Sequence, residues 1–170
     1  MKDIVVSGYA YPSIEPWVLD AWLPDLTFLC NFSYGITAEG GVIDLEDQRL
    51  TDAANASGVR PLMVLTPLDS EGRFNDVVAG RLLENPQART TLIGNIGETL
   101  RRKGLSGVDF DFEYIPAAFA QNYVELVREA RETLGPEGYF VTVALAPKTS
   151  ASQAGTLYEG HDYAGMGQAA

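Results

Sequence analysis

Short, unbroken apolar runs alternate along this chain with longer stretches in which apolar residues recur at helical spacing. Residues 4–7 read as a buried strand, closed by Gly8 and the aromatic turn Tyr9-Ala10-Tyr11-Pro12. Ser13 is placed to cap a helix running to Leu23, with Trp17, Val18 and the Ala21-Trp22 pair on its inner face. Residues 26–34 predict a second strand, 35–41 a loop, and 47–57 a helix with Leu50, Ala53 and Ala54 inward, ended by Gly58. A third strand follows at 61–65. After a loop at 66–72 come two helices, 76–84 and 86–103, the second with Pro86 at its first position and Gly104 as its stop. Residues 105–113 predict a fourth strand and 117–134 a helix carrying Tyr123, Leu126, Val127 and Ala130 on one face. A fifth strand at 139–146 and the start of a further helix at 163–170 complete the pattern.

Strands alternating with helices imply parallel pairing and right-handed crossovers. Five such units stand in one α/β domain spanning residues 1–170, with no linker, low-complexity tract or basic run between them. An open doubly wound sheet and a (β/α)8 barrel both fit. The first strand lacks the glycine-rich phosphate loop of a nucleotide-binding open sheet, which weighs toward the barrel. Complete barrels take about 250 residues, so the expectation is an incomplete barrel of about five units.

Composition narrows the partners. Lys and Arg total 12 against 23 Asp and Glu, a net charge of −11, and such a field argues against nucleic acid. No apolar stretch approaches the roughly 20 residues that span a bilayer, so no membrane is expected, and the N-terminal apolar run is too short for a signal peptide. The single cysteine, Cys30, lies in the apolar run 26–32 and reads as a core thiol.

The chemistry is concentrated in Ser106-Gly107-Val108-Asp109-Phe110-Asp111-Phe112-Glu113-Tyr114. Side chains on a strand alternate, so Asp109, Asp111 and Glu113 share one face and Phe110 and Phe112 the other, with successive acids roughly 6.5–7 Å apart. In a barrel the phenylalanines would meet the helices and the acids would project inward. Crowded, poorly solvated carboxyls raise the pKa of at least one member, the condition for a general acid. Glu113 stands nearest the C-terminal end of its strand, where barrels place their active sites, and is the proton donor by position. Asp111, one step deeper, can hold it and share its proton. The competing readings are a solvated edge strand and a divalent-cation site; nothing else in the chain supplies the converging oxygens a hard cation needs, so neither metal nor cofactor is expected.

Residues 107–113, Gly-Val-Asp-Phe-Asp-Phe-Glu, resemble the Asp-Gly-x-Asp-x-Asp-x-Glu signature of glycoside hydrolase family 18, the chitinase-like enzymes. Gly8-Tyr9-Ala10-Tyr11-Pro12, Phe32-Ser33-Tyr34-Gly35, Pro61-Leu62-Met63-Val64-Leu65-Thr66 and Ala144-Leu145-Ala146-Pro147-Lys148-Thr149-Ser150 resemble its bacterial spore-germination and cortex-lytic branch. The resemblance implies a retaining mechanism assisted by the 2-acetamido group of an N-acetylated glycan. Glu113 would protonate the glycosidic oxygen, Asp111 would orient and stabilise the acetamido group, and Asp109 would support Asp111. It also implies a location in the spore or cell envelope, or outside the cell. Ser106 departs from the signature's first acid. The family's barrel has eight strands and a tyrosine after the sixth, which lies beyond Ala170.

Tyr9, Tyr11, Asn31 and Tyr34 end the first two strands and are expected at the rim, to stack on or hydrogen-bond to sugar. Ala146, with Ala144, would leave room for the ring in the barrel mouth. Trp17 and Trp22 read as core, and His161 with Asp162 as the cap of the last helix. A non-catalytic carbohydrate-binding relative and an inactive fragment remain as alternative readings. Five strands leave two open sheet edges, so the chain alone is expected to form a homo-oligomer with little activity.

Overall fold

The computed structural model describes residues 4–68, 71–150 and 152–170. In chain order the elements are β1 (Ser7–Ala10), α1 (Pro16–Trp22), β2 (Phe28–Ile36), β3 (Val42–Ile43), α2 (Gln48–Ala56), β4 (Arg60–Leu65), α3 (Asp76–Glu84), α4 (Pro86–Lys103), β5 (Gly107–Phe110), α5 (Ala120–Leu134), β6 (Phe140–Val143) and α6 (Tyr163–Ala169). Five strands pair in the order β1-β2-β4-β5-β6, and β3 folds back antiparallel on the end of β2. Every pairing along the main path is parallel, as strand–helix alternation requires.

The sheet is bent into an arc. Tyr9 on β1 and Asp109 on β5 lie three strand spacings apart, about 14 Å in a flat sheet, yet the Tyr9 hydroxyl donates to Asp109 at 2.7 Å. Phe28 on β2 and Phe140 on β6 are also three strands apart, and their ring centroids lie 5.1 Å from each other. Two closures at different heights make one face concave, as in a barrel wall. The Arg60 guanidinium lies over both phenylalanine rings, 5.9 and 4.9 Å from their centroids, and covers the lower end of the concave face.

Alternation divides the core. Outward residues of β4 and β5, among them Met63, Leu65, Val108 and Phe110, pack against buried residues of α3, α4 and α5. A second cluster joins Ala10 and Leu29 to Leu19, Leu50 and Ala54 of α1 and α2. The inward set is small: Phe28, Cys30, Leu62 and Val64, with Phe32 above them. Full burial of an aliphatic or aromatic side chain contributes roughly 1.5–3 kcal/mol, so the outer clusters dominate stability and the concave face is left free for polar residues. Glycine is required where β5 meets β6: a Cβ on Gly107 would lie 2.2 Å from the Phe140 carbonyl oxygen.

Several boundaries differ from the sequence reading. The first strand begins at Ser7, because its partner begins at Phe28; Ile4 and Val5 are exposed, and Val6 is tied only to the start of β2, its carbonyl accepting from Thr27 and Phe28 and its N–H donating to the Thr27 hydroxyl. Helix α1 starts at Pro16, so Ser13 does not cap it. That short helix buries Leu19, with Leu23 four residues on, and the arc so defined excludes both tryptophans. Trp17 and Trp22 are therefore surface residues, 72% and 63% exposed, and not core. Helix α4 keeps the expected limits: Pro86 at its first turn, Asn85 capping two backbone N–H groups, and Gly104 at φ 72° after its end. The last helix is capped by the Asp162 side chain, which accepts from Gly165, whereas His161 turns inward.

Candidate active site

The register aligns the inward positions in two rows offset by two residues on β4: Tyr9, Cys30 and Leu62 in the lower, and Val64, Asp109 and Thr142 in the next. Asp109 is buried at the centre of this row. Its two oxygens are both engaged, one by the Tyr9 hydroxyl at 2.7 Å and the other by the Thr142 hydroxyl at 2.5 Å. Burial, and next the Asp109 charge, push the Tyr9 phenol far above its ordinary range, so it remains a neutral donor. Burial also pushes the Cys30 thiol up to about 12, with the Asp109 charge adding to it, so the sulfur stays protonated.

Regular pairing of β5 ends at Phe110, and one more backbone bond, Asp111 N–H to the Leu65 carbonyl at 2.9 Å, carries the ladder past it. Tyr123 of α5 continues the support from outside. Its hydroxyl donates to the Phe110 carbonyl at 3.3 Å and accepts the Phe112 N–H at 3.4 Å, and its ring stacks on Phe112 with centroids 5.2 Å apart. Phe110 and Phe112 thus fill the helix side, and Asp111 and Glu113 open into the concave side.

Asp111 and Glu113 line an open cavity of about 430 Å³ with Tyr9, Tyr11, Phe32 and Phe74. Desolvation, and then the charges of Glu113 and Asp109, raise the Asp111 carboxyl from 3.8 to about 6. Crowding and burial thus act on Asp111, whose carboxyl is half-protonated near pH 6. One wall of the cavity is an aromatic group in which Phe32 meets Tyr9 and Tyr11 edge to face, at 6.5 and 5.3 Å. On another, Phe74 meets Tyr114 at 6.1 Å, both partly exposed. The combination of apolar ring faces with two carboxyls suits a neutral polyhydroxylated ligand. Among the described residues, no group of three or more His, Cys, Asp or Glu is arranged to hold a metal ion. Among the same described residues, no helix is long and apolar enough to cross a membrane.

Of the residues singled out from sequence, Tyr9, Tyr11, Asp111 and Glu113 share this cavity, with Asp109 directly beneath. Asn31 and Tyr34 do not join them. Asn31 pairs with Ala10 and Met63 on the helix side, and a register shift between Asn31 and Tyr34 turns Tyr34 to that side as well. Both are fully buried and donate to Asp47 Oδ2 at 2.7 Å, while Lys103 approaches Asp47 Oδ1 at 2.5 Å. They belong to a polar cluster beneath α2 and not to the rim. Ala146 also lies outside the cavity: its N–H reaches His161 Nδ1 and its carbonyl accepts the Tyr163 hydroxyl.

Three lining or supporting residues were missed in the sequence. Phe32 takes the inward position two residues beyond Cys30, which strand parity alone would have revealed. Thr142 shares parity with Ala144 and lies opposite Asp109, a second readable signal. Phe74 comes from a loop in which no periodicity marks it.

Comparison with known proteins agrees with this geometry. Residues 66–168 match the model of glycosyl hydrolases family 18. The cortical fragment-lytic enzyme of Bacillus subtilis (strain 168) is 34% identical over 145 residues, 85% of this chain and 33% of that protein. The enzyme of the same description from Bacillus cereus is 30% identical over 146 residues, 85% of this chain and 34% of that one. This chain thus spans about a third of the length of these relatives. The crystal structure of the spore cortex-lytic enzyme SleL from Bacillus megaterium superposes with a TM-score of 0.91 at 31% identity, covering 98% of this chain and 40% of that one. A chitinase from Chromobacterium violaceum shares the fold, at a TM-score of 0.86 and 18% identity, over 98% of this chain and 54% of its own. The strand arc is therefore part of a TIM-type (β/α)8 barrel, and the chain belongs to family 18 of the glycosyl hydrolases.

Proposed function

We propose that the complete protein hydrolyses β-linked, N-acetylglucosamine-containing glycans with retention of configuration, using Glu113 as proton donor and the substrate's acetamido oxygen as nucleophile. Glu113 gives its proton to the glycosidic oxygen as the bond to the anomeric carbon breaks. The acetamido carbonyl oxygen forms the new bond to that carbon, and positive charge spreads over the oxazolinium. Asp111 accepts the acetamido N–H and offsets that charge. Water then attacks the anomeric carbon from the face the leaving group vacated, breaking its bond to the acetamido oxygen and giving up its proton to the Glu113 carboxylate. No second nucleophilic carboxylate is required, as in other substrate-assisted glycosidases.

The observation that carries this reading is the placement of Asp111 and Glu113 together in an aromatic-walled cavity, with Asp109 tied beneath them by Tyr9 and Thr142. A sugar seated there excludes water and strengthens the coupling between the two carboxyls, keeping a proton within the pair. Cortical peptidoglycan is favoured over chitin because the relatives at 30% identity or more named above are cortical fragment-lytic enzymes.

Glu113→Gln in a protein carrying the complete barrel should leave folding and sugar binding near wild type and remove hydrolysis. Retention of more than about 1% of the rate, against the 10²–10⁴-fold that a general acid contributes, would dismiss Glu113 from the role. A thiazoline analogue of N-acetylglucosamine should inhibit, since it mimics the cyclised acetamido group. Equal cleavage of an unacetylated glucan would exclude substrate assistance. The 170 residues alone are inferred to associate through the edges at β1 and β6, which light scattering would detect.

A further inference from the structure

We propose that His161 is a positioning residue that sets the orientation of Glu113 through the Phe112 carbonyl, an inference that rests on Glu113 being the proton donor. Regular pairing of β5 stops at Phe110, three residues before Glu113, and the last ladder bond is the one from Asp111 to Leu65. Immediately after Glu113 the backbone turns through a left-handed Tyr114, at φ 58°. Glu113 therefore sits on a short limb beyond the sheet.

The Phe112 carbonyl on that limb meets His161 Nε2 at 2.9 Å. That carbonyl and the Glu113 N and Cα belong to one planar peptide unit. Holding that C=O therefore restrains the position of Glu113 Cα, the point from which its side chain leaves. Tyr123 holds the two preceding peptide units, one through Phe110 O and one through Phe112 N–H, so the two buried side chains divide the task.

The proton on the imidazole is assigned by its partners. Ala146 N–H donates to Nδ1 at 3.3 Å, so Nδ1 is the acceptor and Nε2 carries the hydrogen given to Phe112 O. The ring is only 2% exposed and both nitrogens are used. Its own backbone is secured as well: Lys148 Nζ donates to the His161 carbonyl at 2.6 Å, and the neighbouring Asp162 caps α6. The approach is close enough to require Gly160, where a Cβ would lie 2.2 Å from the Ile115 carbonyl oxygen. The segment before α6 is thus docked directly on the limb that carries the acid.

The two nitrogens can be tested separately in a protein carrying the complete barrel. In His161→Gln the terminal amide falls near Nε2 and can still donate to Phe112 O. In His161→Asn it falls near Nδ1, keeping a partner for Ala146 and losing the tether to Phe112. Each variant is assayed on an unactivated N-acetylglucosamine oligomer and on an aryl glycoside whose acidic phenol leaves without protonation.

On the oligomer, His161→Asn should lose about tenfold or more in kcat, the scale of a misplaced catalytic group, with KM within about twofold. On the aryl glycoside the loss should shrink to about threefold or less, and His161→Gln should stay within about threefold on both. Gly160→Ala, which presses on Ile115 without touching the ring, should repeat the Asn pattern. Equal losses for Asn and Gln, or losses independent of the leaving group, would reduce His161 to a structural tie and overturn the proposal. Glu113→Gln is the control: if it shows no leaving-group dependence, the assignment of the donor fails. If Glu113→Gln shows that dependence and His161→Asn does not, only the role of His161 fails.

Discussion

Replacing Asp111 with asparagine should stabilise the fold above pH 6 while it impairs catalysis, because the charge that the proposed mechanism uses sits where the fold disfavours it. The Asp111 carboxyl titrates at about 6 in the folded chain against 3.8 for the free group, with desolvation as the largest cause, then Glu113 and Asp109. The folded state thus binds more protons than the unfolded state between those two values. Stability must fall as pH rises through that window and then level off. At about 1.4 kcal/mol per tenfold change in proton affinity, the difference corresponds to at most about 3 kcal/mol. Asp111 faces an open cavity, so solvent screening leaves roughly 1 kcal/mol.

Asp111→Asn keeps the shape of the neutral acid and cannot ionise. Its stability relative to wild type should therefore rise by about 1 kcal/mol between pH 4 and pH 7 and remain constant above. With an m-value of about 2 kcal/mol/M, the urea midpoint should shift by about half a molar. Far-UV circular dichroism at pH 4, 5, 6 and 7.5 is the assay, since both tryptophans are already exposed and report folding poorly. A variant no more stable at pH 7.5 than at pH 4, relative to wild type, would refute the desolvation argument. So would a wild type whose stability does not fall between pH 4 and 6 relative to the variant's.

Two further substitutions separate the cavity from its surroundings. Tyr34→Phe removes a buried hydrogen bond to Asp47 and should cost about 1–2 kcal/mol in urea unfolding, with kcat and KM unchanged for whatever protein remains folded; a rise in KM would return Tyr34 to the sugar site. Tyr9→Phe leaves one Asp109 oxygen without its donor, and should lower kcat about tenfold or more while costing about 1–3 kcal/mol in stability. An unchanged kcat would show that Asp109 needs no such tether.

What was legible in the sequence follows the range over which its signals act. The parity of Asp109, Asp111 and Glu113 against Phe110 and Phe112 is local, and it placed the acids and the phenylalanines on opposite sides even though regular pairing ends at Phe110. Proline and glycine at the ends of α4 act within a single turn, and they marked its limits. The rim assignment failed at β2 because Asn31 has the opposite parity to the inward Cys30, and because a register shift reversed the side of Tyr34. The demand that turned them outward comes from Asp47 and Lys103, 13 and 69 positions beyond Tyr34, whose buried charges require partners. His161 is the clearest case. Its sequence neighbour Asp162 suggested a cap, and Asp162 is the cap; the imidazole meets Phe112, 49 residues away, only after α5 and β6 have been laid down between them. A local pattern can thus identify the groups proposed to do the chemistry, whereas the groups proposed to aim them are chosen by the path of the chain. For this barrel the second set should be sought where the segments after β5 and β6 touch, at His161 and Gly160, before the aromatic walls are altered.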